Sequence, residues 1–296
     1  MQIDGNTPLW IAARVLLLDR GDDFIRCMEK VQATFDAEDI HDLRVSSRRM
    51  REGLTLFEPC YPPSGIATTV RKVKCVTRLL GEIRNTDEAI RFFSTLAEEL
   101  GEPCQGDLET LLTLFRKKRK KGIKGLKRGL SEIDNASLWD IYRRTVNSPA
   151  LFKPPAHGVD LLAPLSGFSR NALDERLADV VKLVPDARRP GAVEAQHRLR
   201  IAVKHYRYRV EILSFLVKGN YDALHDSLKR YQEVLGTMHD LDVFAAMPGE
   251  EGLPYQVVEV VSASITAKRE KLFSEFCAML ETAPLEMIGE KVRASL

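Results

Sequence analysis

Windows that alternate apolar with polar residues are scarce in this sequence, whereas apolar residues at helical spacing fill most of it. That scarcity excludes a sheet-built architecture and leaves an all-α protein. Cysteine pairing is also missing. Five cysteines, Cys27, Cys60, Cys75, Cys104 and Cys277, lie far apart without a CxxC pair, which argues against a disulfide framework or a zinc ribbon and leaves isolated reduced thiols. No helix carries two histidines at the spacing of HExxH, and no GxGxxG or P-loop pattern occurs. No nucleophile–base constellation is visible, so no catalytic residue, no metal ligand and no cofactor is assigned. The opening apolar stretch lacks a basic flank, is interrupted by Arg14 and is followed by Asp19; a cytoplasmic protein that does not enter a membrane is expected.

Net charge is the last scarcity. The 44 Lys and Arg residues against 42 Asp and Glu give only +2, which by itself points to no anionic partner. Distribution matters more. Residues 116–129, "RKKRKKGIKGLKRG", hold nine basic residues and no acid, whereas residues 86–110 hold seven acids and one base. With 296 residues, 44% of them hydrophobic, the chain can bury the core of two ordinary domains or one large one. Interruptions fall at 58–65, 101–106, 147–158 and 247–254, each containing Pro or Gly. The third, with Pro149, Pro154, Pro155 and Pro164 in and after it, is the best linker. The expected organisation is a first helical bundle over 1–150, a Pro-rich linker over 151–165 and a second bundle over 166–296.

Two stretches repeat across that linker: "HDLRVSSRRMRE" at 41–52 and "HRLRIAVKHYRY" at 197–208. His41, Arg44, Arg48 and Arg51 reappear as His197, Arg200, Lys204 and Arg207, each displaced by 156 positions. Further on, Leu80, Gly81 and Asp87 of "LLGEIRNTDEAI" match Leu235, Gly236 and Asp242 of "VLGTMHDLDVFA" at a displacement of 155. Two matching blocks in the same order read as an internal duplication. A weaker third match sets "KRKKG" at 118–122, which includes Lys120, opposite "AKREK" at 267–271.

At about 100° per residue, positions 41, 44, 48 and 51 fall within roughly 80° on a helix. Leu43, Met50, Leu54 and Phe57 lie on another side, so core and cations occupy separate faces. The second copy sets Leu199, Val203, Val210 and Leu213 against the same kind of ridge. A merely solvated face mixes signs to gain pairs one turn apart, yet both four-residue stripes lack acids. Anion binding would relieve their repulsion. Arg71, Lys74 and Arg78 follow the first ridge at i, i+3 and i+7; in the second half only Lys229 is kept, with Asp226 and Glu233 opposite Arg71 and Arg78.

These blocks resemble the CHAD, or conserved-histidine α-helical domain, family over nearly the whole chain. The resemblance implies two pseudo-symmetric four-helix bundles enclosing a basic cleft or channel that binds inorganic polyphosphate. By position it implies ligands at His41, Arg44, Arg48, Arg49 and Arg51, and at His197, Arg200, Lys204 and Arg207, with Tyr208 beside them. Arg71, Lys74, Arg78, Lys120 and Lys229 complete the candidate site. Asn85 departs from the aspartate common in the family's second block. Binding without catalysis, and association with polyphosphate granules, are the corresponding expectations.

Two other readings compete. A basic groove also suits nucleic acid, but single-strand readers interleave aromatics with cations and Tyr208 is the only aromatic on either stripe. His41–Asp42, His225–Asp226 and His239–Asp240 suggest the His-Asp ligands of a metal-dependent phosphohydrolase, which would release phosphate only with added divalent metal.

Overall fold

The computed structural model describes residues 2–102, 104–133, 135–151 and 158–296. Pro154 and Pro155 of the expected linker, and Pro103 in the second interruption, lie outside them. Among the described residues every named element is helical, and the only β-type pairing is an isolated bridge between Pro8 and Pro164. The all-α expectation therefore holds. No described helix is long and apolar enough to cross a membrane.

The chain divides into two compact units, Met1–Leu100 with Leu108–Phe168, and Gly101–Asp107 with Ser169–Leu296. The first contains α1 (Leu9–Thr34), α2 (Ala37–Leu56), a 3₁₀ turn (Glu58–Cys60), α3 (Pro63–Leu100), most of α4 (Gln105–Ser131) and α5 (Asn135–Val146). The second contains most of α6 (Leu165–Ala187), then α7 (Val193–Ile212), a 3₁₀ turn (Ser214–Leu216), α8 (Tyr221–Phe244), the single turn α9 (Met247–Glu250), α10 (Tyr255–Thr282) and α11 (Leu285–Ala294). The elements recur in register. α6 starts 156 residues after α1, and α7 and its 3₁₀ turn match α2 and its turn at both ends at that displacement. From α4 to α10 and from α5 to α11 the displacement of the starts is 150.

Local chemistry accounts for the sharp turn that sets α2. Phe35 ends α1 in the left-handed region at φ 54°, its N–H donating to the Val31 carbonyl. Asp36 then caps α2 by accepting from the Asp39 N–H at 2.8 Å, and Glu38 and Asp39 complement the positive helix start. Two residues thus suffice to reverse the chain. The eight core positions read from the helical period, Leu43, Met50, Leu54, Phe57, Leu199, Val203, Val210 and Leu213, are all at most 1% exposed. Burying such a side chain contributes about 1.5–3 kcal/mol, which fixes the rotation of α2 and α7 about their axes.

The units solve one packing problem in opposite ways. In the first, Gly21 of α1 receives the Tyr142 ring of α5, and the Tyr142 hydroxyl donates to the Leu17 carbonyl. In the second, Leu177 of α6, 156 positions beyond Gly21, fits over Gly289 of α11. Large meets small in both.

Candidate anion-binding site

Helix α3 supplies most of the floor of the site and glycine opens it. A Cβ at Gly81 would sit 3.3 Å from an Arg44 guanidinium nitrogen, and one at Gly236 would sit 3.8 Å from the Arg200 Nε. Both glycines let an arginine of the preceding helix lie close along the next helix's backbone. The Ser47 hydroxyl accepts from Thr77 at 3.1 Å and donates to the Arg44 carbonyl at 2.8 Å, tying α2 to α3 beside that arginine. The result is a groove of about 610 Å³ lined by Arg44, Arg51, Arg71, Lys74 and Arg78, with Thr77, Gly81, Asn85 and a single carboxylate, Glu82. Five of the sequence-derived candidates thus come together. Asn85, noted for departing from aspartate, faces this same groove and leaves it one negative charge poorer.

Arg51 shows the electrostatic cost. Its Nε is buried without a hydrogen-bond partner, and burial, then the nearby Arg48 charge, lower its guanidinium pKa below the ordinary value. His41 is exposed and also titrates below its ordinary value, first through desolvation and then through Arg84. Neither His41, Arg48 nor Arg49 lines the groove. The groove continues past Arg78 and Glu82 into a second hollow of about 570 Å³ between α3 and α4, where Lys118, Lys121 and Arg128 add positive charge. Sequence reading singled out Lys120 in this cluster, but Lys120 lies on another face of α4, among Arg116, Lys124 and Lys127. The glycines marked the α3-facing edge: a Cβ at Gly122 would lie 3.3 Å from Ile83, and one at Gly129 2.8 Å from Leu79.

The second block's aspartate has a structural task in each unit. Asp87 of α3 accepts from Arg119 Nε of α4 at 2.5 Å, and Asp242 of α8 accepts from Arg269 Nε of α10 at 2.6 Å. These arginines are 150 apart, so the third repeated block aligns one residue later than "KRKKG" against "AKREK" suggests.

The second unit spends its cations differently. Arg207, the counterpart of Arg51, is buried; it donates to Glu211 at 2.5 Å and to Gln232 at 3.0 Å, and its guanidinium stands 5.0 Å from the Tyr208 ring centre. His225 Nε2 lies 2.8 Å from the same Glu211 oxygen. Arg207 and Tyr208 therefore sit inside the unit rather than on an open ridge. His197 packs on His239, Nδ1 to Nδ1 3.0 Å apart, and desolvation, with Arg200 and His197, pushes His239 down to about 4. Arg200 and Lys204 are half-buried, and Lys229 is exposed with Glu233 at 3.8 Å. Among the described residues no three His, Cys, Asp or Glu side chains form a group that could hold a metal ion. His225 of the proposed His-Asp pairs has Asp226 3.9 Å from its Nδ1 and Glu211 closer, 2.8 Å from its Nε2. All five cysteines are free, Cys60 and Cys104 buried.

Comparison with known proteins finds that the model of the CHAD domain matches residues 17–247. Among solved structures, the CHAD domain from the plant Ricinus communis superposes with a TM-score of 0.71 at 21% identity, covering 95% of this chain and 94% of that one. PptA from Streptomyces chartreusis gives a TM-score of 0.71 at 17% identity, covering 93% of this chain and 100% of that one. Comparison with curated proteins finds no match.

Proposed function

Since the chain belongs to the CHAD domain family, we propose that it binds inorganic polyphosphate, with the arginine-lined groove of the first unit as a principal seat. The observation that carries this is the groove's charge: five cations against one carboxylate, with a buried Arg51 Nε that lacks a partner. Phosphate oxygens would satisfy that donor and offset the mutual repulsion through charge-assisted hydrogen bonds. No aromatic residue lines the groove, so it offers no stacking platform of the kind that single-stranded nucleic acid uses. We read the recurring element register and the paired Asp–Arg contacts as an internal duplication. The proposal is binding without turnover, in the cytoplasm, with granule association following from the ligand.

Titration with long-chain polyphosphate at several salt concentrations tests the ligand class. Affinity should fall steeply as salt rises, because each neutralised phosphate releases counterions; a salt-independent affinity would refute the reading. Arg44→Glu and Arg51→Glu should each weaken binding by about 1–3 kcal/mol, the worth of a hydrogen bond to a charged group. Arg48→Glu, beside Arg51, and Lys204→Glu in the second unit test the equivalent positions of the two copies: each alone should weaken binding, and normal affinity in either folded variant would remove that residue from the site. Divalent-metal-dependent release of phosphate would replace binding with hydrolysis.

A further inference from the structure

Helix α4 is basic on two faces. Lys118, Lys121 and Arg128 turn toward α3 and extend the Arg44 groove, but Arg116, Lys120, Lys124 and Lys127 line a different hollow, of about 540 Å³, walled by Thr34 and Phe35 at the α1–α2 elbow. At about 100° per residue the centres of these two sets of cations stand roughly 120° apart around the helix. Between them the helix is seated by Phe115, Leu126 and Leu130, all buried, and by the Arg119–Asp87 pair. Arg119 borders both hollows, but its pairing with Asp87 and the buried residues around it divide them on this flank, and the remaining cations of each hollow belong to that hollow alone.

Its chemistry is that of an anion site. No carboxylate lines it. Arg116 has a distant partner in Glu109 at 3.6 Å and Arg119 is held by Asp87, but Lys120 and Lys124 make no ion pair among the described residues. Lys127 stands 4.7 Å over the Phe35 ring, whose backbone is held at φ 54° by the tight elbow. That contact keeps an ammonium at the rim, against one face of the one aromatic ring that lines the hollow. The second unit does not repeat the arrangement: α10 carries Glu259, Glu270 and Glu275 among its Lys and Arg residues.

We infer that the elbow-facing side of α4 is a second polyphosphate-binding groove, so that one protein molecule holds two separate stretches of polyphosphate and can bridge them. This rests on the polyphosphate reading of the first groove. A short chain would occupy either groove, whereas a long one would engage both at once and gain avidity.

The test uses the full chain and short-chain polyphosphate, titrated calorimetrically for stoichiometry, beside Lys124→Glu/Lys127→Glu and Arg44→Glu/Arg51→Glu. The wild type should bind more than one short chain per molecule. The lysine variant should lose one site while the other keeps its affinity, and long-chain polyphosphate should no longer produce the light scattering of bridged complexes. Both lysines are exposed, so an unchanged melting temperature is the folding control; Lys124→Gln/Lys127→Gln should show an intermediate loss. Wild type and lysine variant binding with identical stoichiometry, both sensitive to the arginine changes, would overturn the second groove and leave the first standing. No binding by the wild type would overturn both. A single-stranded RNA that occupies the lysine groove while short polyphosphate does not would overturn the ligand assigned to it.

Discussion

Glycine stands inside α1 at Gly21 and inside α4 at Gly125, and one substitution should act oppositely at the two. Alanine favours a helix over glycine by about 0.5–1 kcal/mol. At Gly125 nothing lies within 4 Å of an added Cβ, so Gly125→Ala should raise stability by about that amount. At Gly21 the added carbon would collide with the Tyr142 ring and stand 2.8 Å from Trp139, and Tyr142 is fixed by its bond to Leu17. Overpacking costs about 1–3 kcal/mol and outweighs the helix gain, so Gly21→Ala should lower the chemical-denaturation midpoint. The His197–His239 pair makes a prediction of a different kind. With His239 held at about 4 against an ordinary 6.5, the unfolded chain takes up a proton before the folded one does. Stability contributed at this site is therefore intact above pH 6.5 and falls as pH drops from 6.5 toward about 4. Replacing His239 by Gln should flatten that part of the stability–pH curve, and an unaltered slope would show that the pair does not govern it.

At the scale of elements, α2 and α7 share length, register and core face, but differ in what their last cationic position does. Arg51 faces the open groove, whereas Arg207 is closed in by Glu211, Gln232 and His225. Glu211 replaces the Thr55 of the first copy. Removing one partner of a buried ion pair costs about 3–5 kcal/mol, so Glu211→Ala should destabilise the protein by that order in urea unfolding, while Thr55→Ala, on an exposed position, should have little effect. The fold was largely legible here because apolar residues repeat with the period of the helix, as Leu43, Met50, Leu199 and Val203 show. The Arg44, Arg51, Arg71, Lys74 and Arg78 constellation was legible too, since short spacings on consecutive helices determine which residues share a face. The fate of Arg207 was only half visible: Glu211 lies one turn further along the same helix, but Gln232 and His225 arrive from α8. The face on which Lys120 lies was hidden for another reason. Cations spread over most of α4's circumference do not announce its rotation, which the approach of Gly122 and Gly129 to α3, the buried Leu126 and Leu130 and the Arg119–Asp87 pair fix together.

For the whole molecule, like-charge crowding in the grooves means that ligand and stability are coupled. A polyanion that binds the folded chain preferentially stabilises it by mass action, about 2.7 kcal/mol at a hundred-fold excess over Kd. Saturating polyphosphate should therefore raise the melting temperature by several degrees, less at high salt, and no shift would argue against a preformed site. The Pro8–Pro164 bridge has a consequence of another order. Leu9 N–H donates to the Ala163 carbonyl at 2.9 Å and Leu165 N–H to the Thr7 carbonyl at 2.9 Å; Trp10 bonds Leu161 at 3.1 Å and Ser166 bonds Gly5 at 3.0 Å. The start of α1 is thus sealed by chain made about 150 residues later, which at translation rates of about 5–20 residues per second is a wait of about 8–30 s. On the ribosome, the first unit must linger with its leading helix unsealed until the entry to α6 has emerged. Chains stalled before residue 160 should exchange the Leu9 and Trp10 amides freely, and chains extended beyond the exit tunnel by the first turns of α6 should protect them.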